Sequence, residues 1–272
     1  MRRGGSSSPR LDAEMLLSHQ LGVGRTGLYV RFQEPLTGNP LEAFLDLVER
    51  RIREEPVAYI TGRKEFWSLL FEVGPGVLIP RPDTEVLVED VLRAARDLGR
   101  DDLDILEIGT GSGAVSIALA KELNNARIVA TDVSEQALDW AKKNAAAHDA
   151  ADRILFLQGH LFEPLSTKFD IIASNPPYIA EATYTNLPRG VRLFEPVEAL
   201  LAGPRGTEFH EALIAGSRDH LRDGGWLFME IGDGQKRGVE HLLKEIPWLE
   251  DINVTADYAG LPRVAGARRK RS

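Results

Sequence analysis

Apolar residues recur along this chain in two distinct rhythms. Leu11, Met15, Leu16, His19 and Leu21 follow a helical spacing that Gly22 and Gly24 interrupt; Leu41, Phe44, Leu45, Leu47, Val48 and Ile52 make a second stripe with charges opposite. These stripes predict a helical unit over residues 1–62, in which eight basic and eight acidic side chains balance. Residues 65–80, EFWSLLFEVGPGVLIP, are aromatic and β-branched and predict a β-hairpin linker (63–81) turning at Gly74, Pro75 and Gly76. From residue 82 to 272 helix and strand alternate. Helices are expected over Val86–Leu98, Gly113–Leu123 and Glu135–His148. Strands are expected over Leu103–Ile108, Arg127–Asp132, Ile154–Leu157, Phe169–Ser174 and Trp226–Ile231. Such alternation means βαβ units and a parallel sheet covered on both faces, an α/β Rossmann-like arrangement. Ile252–Tyr258 and Arg263–Ala267, split by a turn at Gly260, fit an antiparallel edge hairpin.

Composition narrows the chemistry. Hydrophobic residues at 43% and charged residues at 27% are an ordinary globular balance, and no apolar run approaches the roughly 18 residues a bilayer requires. The start, MRRGGSSSPR, has no apolar core of a secretory signal and reads as disordered, so a cytoplasmic protein is expected. With no cysteine, disulfides, thiolate metal sites and thiol nucleophiles are excluded. His19, His148, His160, His210, His220 and His241 form no metal-ligand spacing. The 33 Lys and Arg against 41 Asp and Glu give a formal charge of −8, unlike a protein that gains affinity by neutralising phosphates. The run Arg268, Arg269, Lys270, Arg271 reads as a solvated tail.

Strand Leu103–Ile108 runs into Gly109-Thr110-Gly111-Ser112-Gly113, and an apolar helix follows. Glycines in that context admit positive φ and let a ligand approach the backbone. The next strand ends at Asp132, whose carboxylate is placed to accept both hydroxyls of an adenosine ribose. GxGxG after Glu107 is the methyltransferase variant, with no pyrophosphate to seat, rather than the dinucleotide GxGxxG; S-adenosyl-L-methionine is the expected cofactor.

Asn175-Pro176-Pro177-Tyr178 closes strand Phe169–Ser174 at the carboxyl edge of the sheet. The prolines stiffen the turn and remove two N–H groups. The Asn175 side-chain oxygen and the Pro176 carbonyl can accept both hydrogens of one –NH2 group. That suits an amide nitrogen, a poor nucleophile because its lone pair is delocalised: two acceptors favour a pyramidal nitrogen and aim the lone pair. Tyr178 offers a flat face for stacking.

These residues identify a resemblance. SPRLDAEMLL, EPVAYITGRKEFW, LIPRPDTE, ILEIGTGSGAVSIALA, SNPPYI and GLPRV, spread over residues 9 to about 267, are similar to the HemK/PrmC family of glutamine methyltransferases, which modify the Gln of Gly-Gly-Gln in class I peptide chain release factors. The resemblance implies a seven-stranded methyltransferase sheet, a small helical N-terminal domain that docks the release factor, and transfer to the glutamine side-chain nitrogen (N5). It implies cofactor contacts at Gly109, Thr110, Gly111, Ser112, Gly113, Asp132, His160, Leu161 and Asn175, and substrate contacts at Asn175, Pro176, Pro177 and Tyr178, with Asn175 and Pro176 catalytic. At His160 the family usually has an aspartate holding the adenine amino group; a neutral histidine accepts through one ring nitrogen. The family also has about one more helix where only eight residues precede Pro9 here, pointing to a lost helix or a start placed too late.

The rival reading is a DNA adenine N6-methyltransferase, which uses the same turn for an exocyclic –NH2. Base flipping and sequence readout need a basic recognition region, and none is found; no direct DNA binding is expected. A non-catalytic scaffold of the same fold would not need the glycine loop, Asp132 and NPPY together.

Overall fold

The computed structural model describes residues 6 and 8–271, so most of the expected disordered start lies outside the described residues. Four helices come first: α1 (Pro9–Leu21), α2 (Arg25–Val30), α3 (Asn39–Ile52) and α4 (Val57–Thr61). Pro9 opens α1, where its missing N–H costs nothing, and Gly22 ends it at φ 63° with its N–H on the His19 carbonyl.

The hairpin β1 (Arg63–Phe66) and β2 (Leu69–Glu72) follows. Its turn corrects the sequence expectation: it lies at Trp67-Ser68, both with positive φ (53° and 56°), and not at Gly74-Pro75-Gly76. Positive φ at both central residues gives the twist that a two-residue hairpin requires. The glycines have another duty. A Cβ at Gly74 would lie 2.7 Å from the Trp140 ring and one at Gly76 2.2 Å from Gln136, so the segment is glycine to let helix 135–147 pack against it.

Beyond the Pro82–Thr84 turn, the elements are α5 (Glu85–Leu98), β3 (Asp104–Ile108), α6 (Ala114–Glu122), β4 (Arg127–Asp132), α7 (Glu135–Ala147), β5 (Ile154–Gln158) and β6 (Phe169–Ser174). An insertion follows, with β7 (Ile179–Ala180), α8 (Glu181–Tyr184), α9 (Arg189–Phe194) and β8 (Leu201–Gly203); β7 and β8 pair with each other. α10 (Glu208–His220), β9 (Leu221–Glu230), α11 (Lys236–Lys244), β10 (Leu249–Ala256) and β11 (Pro262–Arg269) complete the chain. The seven-stranded sheet has the order β10-β11-β9-β6-β3-β4-β5, with β11 antiparallel to its neighbours and the other strands parallel. All six residues of β6 are buried, as a central strand covered on both faces must be. One apolar cluster lies on the face of α5 and α6 and another on the face of α10 and α11.

The sheet runs outward from β3 to β5 and then returns to place β6 on the other side of β3. This is a topological switch point, where ligands bind at the carboxyl ends of the strands. The basic run at 268–271 is also corrected: Arg268 and Arg269 are strand residues of β11. Arg268 Nε donates to the Gly224 carbonyl at 3.0 Å, and Arg269 pairs with Asp223 at 2.8 Å. Lys270 reaches the Pro247 carbonyl at 2.5 Å. Among the described residues, no helix is long and apolar enough to cross a membrane.

Candidate active site

A cleft of about 850 Å³ opens at the switch point. Gly109, Thr110, Gly111, Ser112, Asp132, His160, Leu161, Asn175, Pro176 and Pro177 line it, so four turns distant in sequence share one wall. Gly113 and Tyr178 continue two of those turns. Gly113 takes φ 81° at the head of α6, where a Cβ would lie 3.2 Å from Ala141 of α7; its glycine serves helix packing.

The glycine loop is tied down from β4. The amides of Gly109 and Thr110 both donate to the Thr131 carbonyl, at 2.8 and 2.9 Å. Gly109 and Gly111 hold φ of 76° and 56°, and the nearest atom to a Cβ built on either is 3.9 Å away, so their open sides face the cleft. Asp132 accepts from the Gly111 amide and the Ser134 amide, each at 2.9 Å, one on each carboxylate oxygen. Burial raises its pKa, opposed by those amides, and each oxygen retains a lone pair for a ligand hydroxyl. Behind the loop, Glu107 is 3% exposed and accepts from Thr110 Oγ1 (2.6 Å) and the Ser116 amide (3.0 Å). Burial pushes its carboxyl up to about 7. Asn144 of α7 braces the other side, donating to the Ser112 and Glu72 carbonyls at 2.9 and 3.0 Å. At the far rim His160 is exposed, edge-on to Phe209 at 6.2 Å, and Leu161 turns the chain with φ 50°.

Across the switch point Asn175 is half-buried, and its carbonyl oxygen is 3.9 Å from a Cβ built on Gly109. Its side-chain Nδ2 donates to Thr84 Oγ1 at 3.1 Å, leaving Oδ1, the other end of the amide, as its acceptor for a ligand. Thr84 in turn donates to Glu230 Oε2 at 2.6 Å. Tyr178 ends this turn: its hydroxyl donates to Glu230 Oε1 at 3.3 Å, and burial raises its pKa.

Several site residues escaped the sequence reading. Thr84 stands in LIPRPDTE without an assigned role. Glu230 ends the apolar strand WLFME, and a carboxylate in a strand that buried was the available signal. Arg81 and Glu195 are two more: Glu195, on the insertion, accepts from Arg81 at 2.6 Å and from the Ile79 amide at 3.1 Å, fastening the insertion to the segment before α5.

Two family models match the chain: a PrmC N-terminal domain over residues 1–62 and a methyltransferase small domain over residues 82–203. Release factor glutamine methyltransferase of Geobacter sulfurreducens is 42% identical over 265 residues, covering 97% of this chain and 91% of that protein. The protein of that name from Rhodopirellula baltica is 40% identical over 272 residues, covering 98% and 92%. Among solved structures, a ribosomal protein L11 methylase from Lactobacillus delbrueckii subsp. bulgaricus shares the fold at TM-score 0.52 and 22% identity, covering 73% of this chain and 84% of that one. Matching relatives over nearly its whole length, with a methyltransferase sheet and an Asn-Pro-Pro-Tyr turn at the switch point, the chain belongs to the release factor glutamine methyltransferase family.

Proposed function

We propose that this enzyme transfers a methyl group from S-adenosyl-L-methionine to the N5 nitrogen of the glutamine in the Gly-Gly-Gln motif of class I release factors. The observation that carries this reading is the Asn175 amide, held through Nδ2 by Thr84 beside the glycine loop. The loop fits the cofactor: Gly109 and Gly111 leave open the space that side chains would fill, and Asp132 is buried with acceptor capacity left for a ribose. Gly109, Thr110, Gly111, Ser112, Asp132, His160 and Leu161 would hold it. When bound, it supplies an electrophilic methyl group on a sulfonium.

The protein's own part is positioning. Asn175 Oδ1 and the Pro176 carbonyl accept the two hydrogens of the target –NH2, which breaks its conjugation and aims the lone pair. Pro176 and Pro177 have no N–H to compete for those acceptors. No strong base is required, because the nitrogen becomes acidic only as it gains positive charge. The preorganised acceptors therefore do their work on the transition state. The DNA adenine reading shares the Asn-Pro-Pro-Tyr turn, but no observation favours it over this one.

The test is co-expression with a class I release factor, followed by mass spectrometry of its Gly-Gly-Gln peptide. A mass increase of one methylene on the glutamine, dependent on Asn175, is the expected result; an unmodified peptide would refute the reading.

A further inference from the structure

Four segments of the chain converge on one buried glutamate behind the substrate turn. Glu230, at the end of β9, is 1% exposed. Thr84 of the Pro82–Thr84 turn donates to its Oε2 at 2.6 Å, and Tyr178 of the Asn-Pro-Pro-Tyr turn donates to its Oε1 at 3.3 Å. From β11 comes the charge of Arg263, itself paired with Asp257 at 2.9 Å and with Asp83 at 3.4 Å. His210 of α10 lies with Nε2 at 2.8 Å from the Glu230 backbone carbonyl. Burial lowers the pKa of that ring, and because a carbonyl oxygen can only accept, Nε2 carries the proton and donates.

The proton count in this chain decides how Asn175 lies. A hydroxyl has one hydrogen to give. An ionised Glu230 can only accept, so the Thr84 hydrogen goes to Glu230. Thr84 then meets Asn175 only through a lone pair, and the amide must turn Nδ2 toward it, as observed at 3.1 Å. A neutral Glu230 could donate to Thr84 instead. Thr84 would then be free to donate onward to Oδ1, and the flipped amide, with –NH2 toward the cleft, would become its equal. A flipped amide offers a donor where the target nitrogen needs an acceptor.

We propose that Glu230, acting through Thr84, fixes which end of the Asn175 amide faces the cleft, making Glu230 and Thr84 positioning residues for methyl transfer. The inference rests on the function proposed above and adds the device that orients its central residue. Burial, the presence of Asp83 and the opposing pull of Thr84, Arg263 and Tyr178 leave the Glu230 carboxyl at about 7. The orientation therefore carries a pH signature: it is held above that value and released below it.

The test compares wild type, Thr84→Val, Thr84→Ser and Glu230→Gln. Single-turnover transfer to an intact release factor is followed from pH 5.5 to about 8.5, bracketing the expected step. Cofactor affinity is measured separately. Thr84→Val, which keeps the shape and loses the hydroxyl, is expected to slow transfer about tenfold or more, the worth of one net hydrogen bond. Its cofactor affinity should be unchanged, and Thr84→Ser should restore the rate. Wild type and Thr84→Ser should slow as pH falls through about 7, whereas Glu230→Gln and Thr84→Val should lack that step. A Thr84→Val enzyme at the wild-type rate, or Thr84→Ser as slow as Thr84→Val, would overturn the proposal. A second readout needs no substrate. The Asn175 side-chain 15N–1H pair, identified by its absence from Asn175→Asp, should shift with the same step in wild type and not in Glu230→Gln. A resonance indifferent to pH would overturn the proposal even if wild type proved inactive on release factor, an outcome that would instead sink the proposed substrate.

Discussion

The helices of residues 9–61 and the sheet domain after them bury their side chains to different depths. Among the described residues of the helical part, Asp12, Leu16, Tyr59 and Ile60 are buried, while Leu11, Met15, Tyr29, Val30, Phe32, Leu45 and Ile52 are exposed. Ion pairs join these helices to one another: Glu14 of α1 with Arg25 of α2 at 2.6 Å, and Asp12 of α1 with Arg51 of α3 at 2.8 Å. The Glu14–Arg25 pair, its arginine half-exposed, contributes little, whereas the Asp12–Arg51 pair is largely shielded from solvent. The sheet domain buries Glu107, Asp170, Glu195 and Glu230 outright, each with hydrogen-bond partners. An apolar surface with little core beneath it is suited to meeting another protein. A dense core that holds polar groups in fixed positions is suited to chemistry. The comparison teaches that the two parts differ in physical construction; with docking assigned to the helices and catalysis to the sheet domain, as we propose, the two should fail separately.

The largest effect is expected where the sheet domain is most specific. Asn175→Ala should lose roughly 2.7–4 kcal/mol of barrier lowering in single-turnover transfer, with cofactor affinity only modestly reduced. Asn175→Asp keeps an acceptor and should be impaired less, its charge stabilising the cationic ground state more than the transition state. A near wild-type rate in Asn175→Ala would remove the amide from the mechanism.

Individual carboxylates of the two regions should also respond to acid with opposite signs. Glu107 and Glu230 are raised by burial to about 7, above the ordinary glutamate value of 4.5. The folded sheet thus holds protons that the unfolded chain has released, and stability falls as pH rises from 4.5 toward 7. Glu14 is lowered to about 2, first by its bond to Arg25, so its contribution is present above 4.5 and is lost as pH falls toward 2. Glu107→Gln keeps an oxygen for Thr110 and Ser116 and cannot ionise. Relative to wild type it should gain on the order of 3 kcal/mol by pH 8 and little at pH 4. Denaturant unfolding at the two pH values checks this; an equal difference at both would mean that Glu107 titrates normally.

Asp132→Ala comes next, at roughly 1.5–3 kcal/mol of cofactor affinity by titration calorimetry, the worth of hydrogen bonds to a charged group. Unchanged affinity would take Asp132 out of the ribose site. The smallest effect is expected at the helices. Tyr29→Ser with Phe32→Ser should raise KM for intact release factor by the equivalent of about 1 kcal/mol, with kcat unaltered. A free Gly-Gly-Gln peptide should be a poor substrate for wild type and equally poor for the double variant. A variant that lost transfer to peptide and protein alike would erase the division of labour.

The sequence by itself determined the elements whose pattern is local. The apolar spacing of α5, the continuous run of β6, the glycine loop after β3 and the NPPY turn after β6 are visible because period and turn chemistry act over a few residues. The same approach misplaced the hairpin turn, because glycine and proline signal a bend without saying which bend. Trp67 and Ser68 accept a left-handed backbone only because Phe66 and Phe71 are anchored in the core on either side. It also took the 268–271 run for a tail, since the partners of Arg268 and Arg269 at Gly224 and Asp223 are more than forty residues away. The cleft residues read from motifs each sit in a short local segment at a strand end, such as the glycine loop after β3, Asp132 ending β4 and the NPPY turn after β6. Thr84, Glu230, Arg81 and Glu195 become site residues only when the sheet closes: Thr84 and Glu230 are 146 positions apart yet share a hydrogen bond of 2.6 Å. Which end of an amide faces a ligand depends on where the last proton of such a chain resides. That is fixed by burial and by neighbours from three segments, and no local pattern records it.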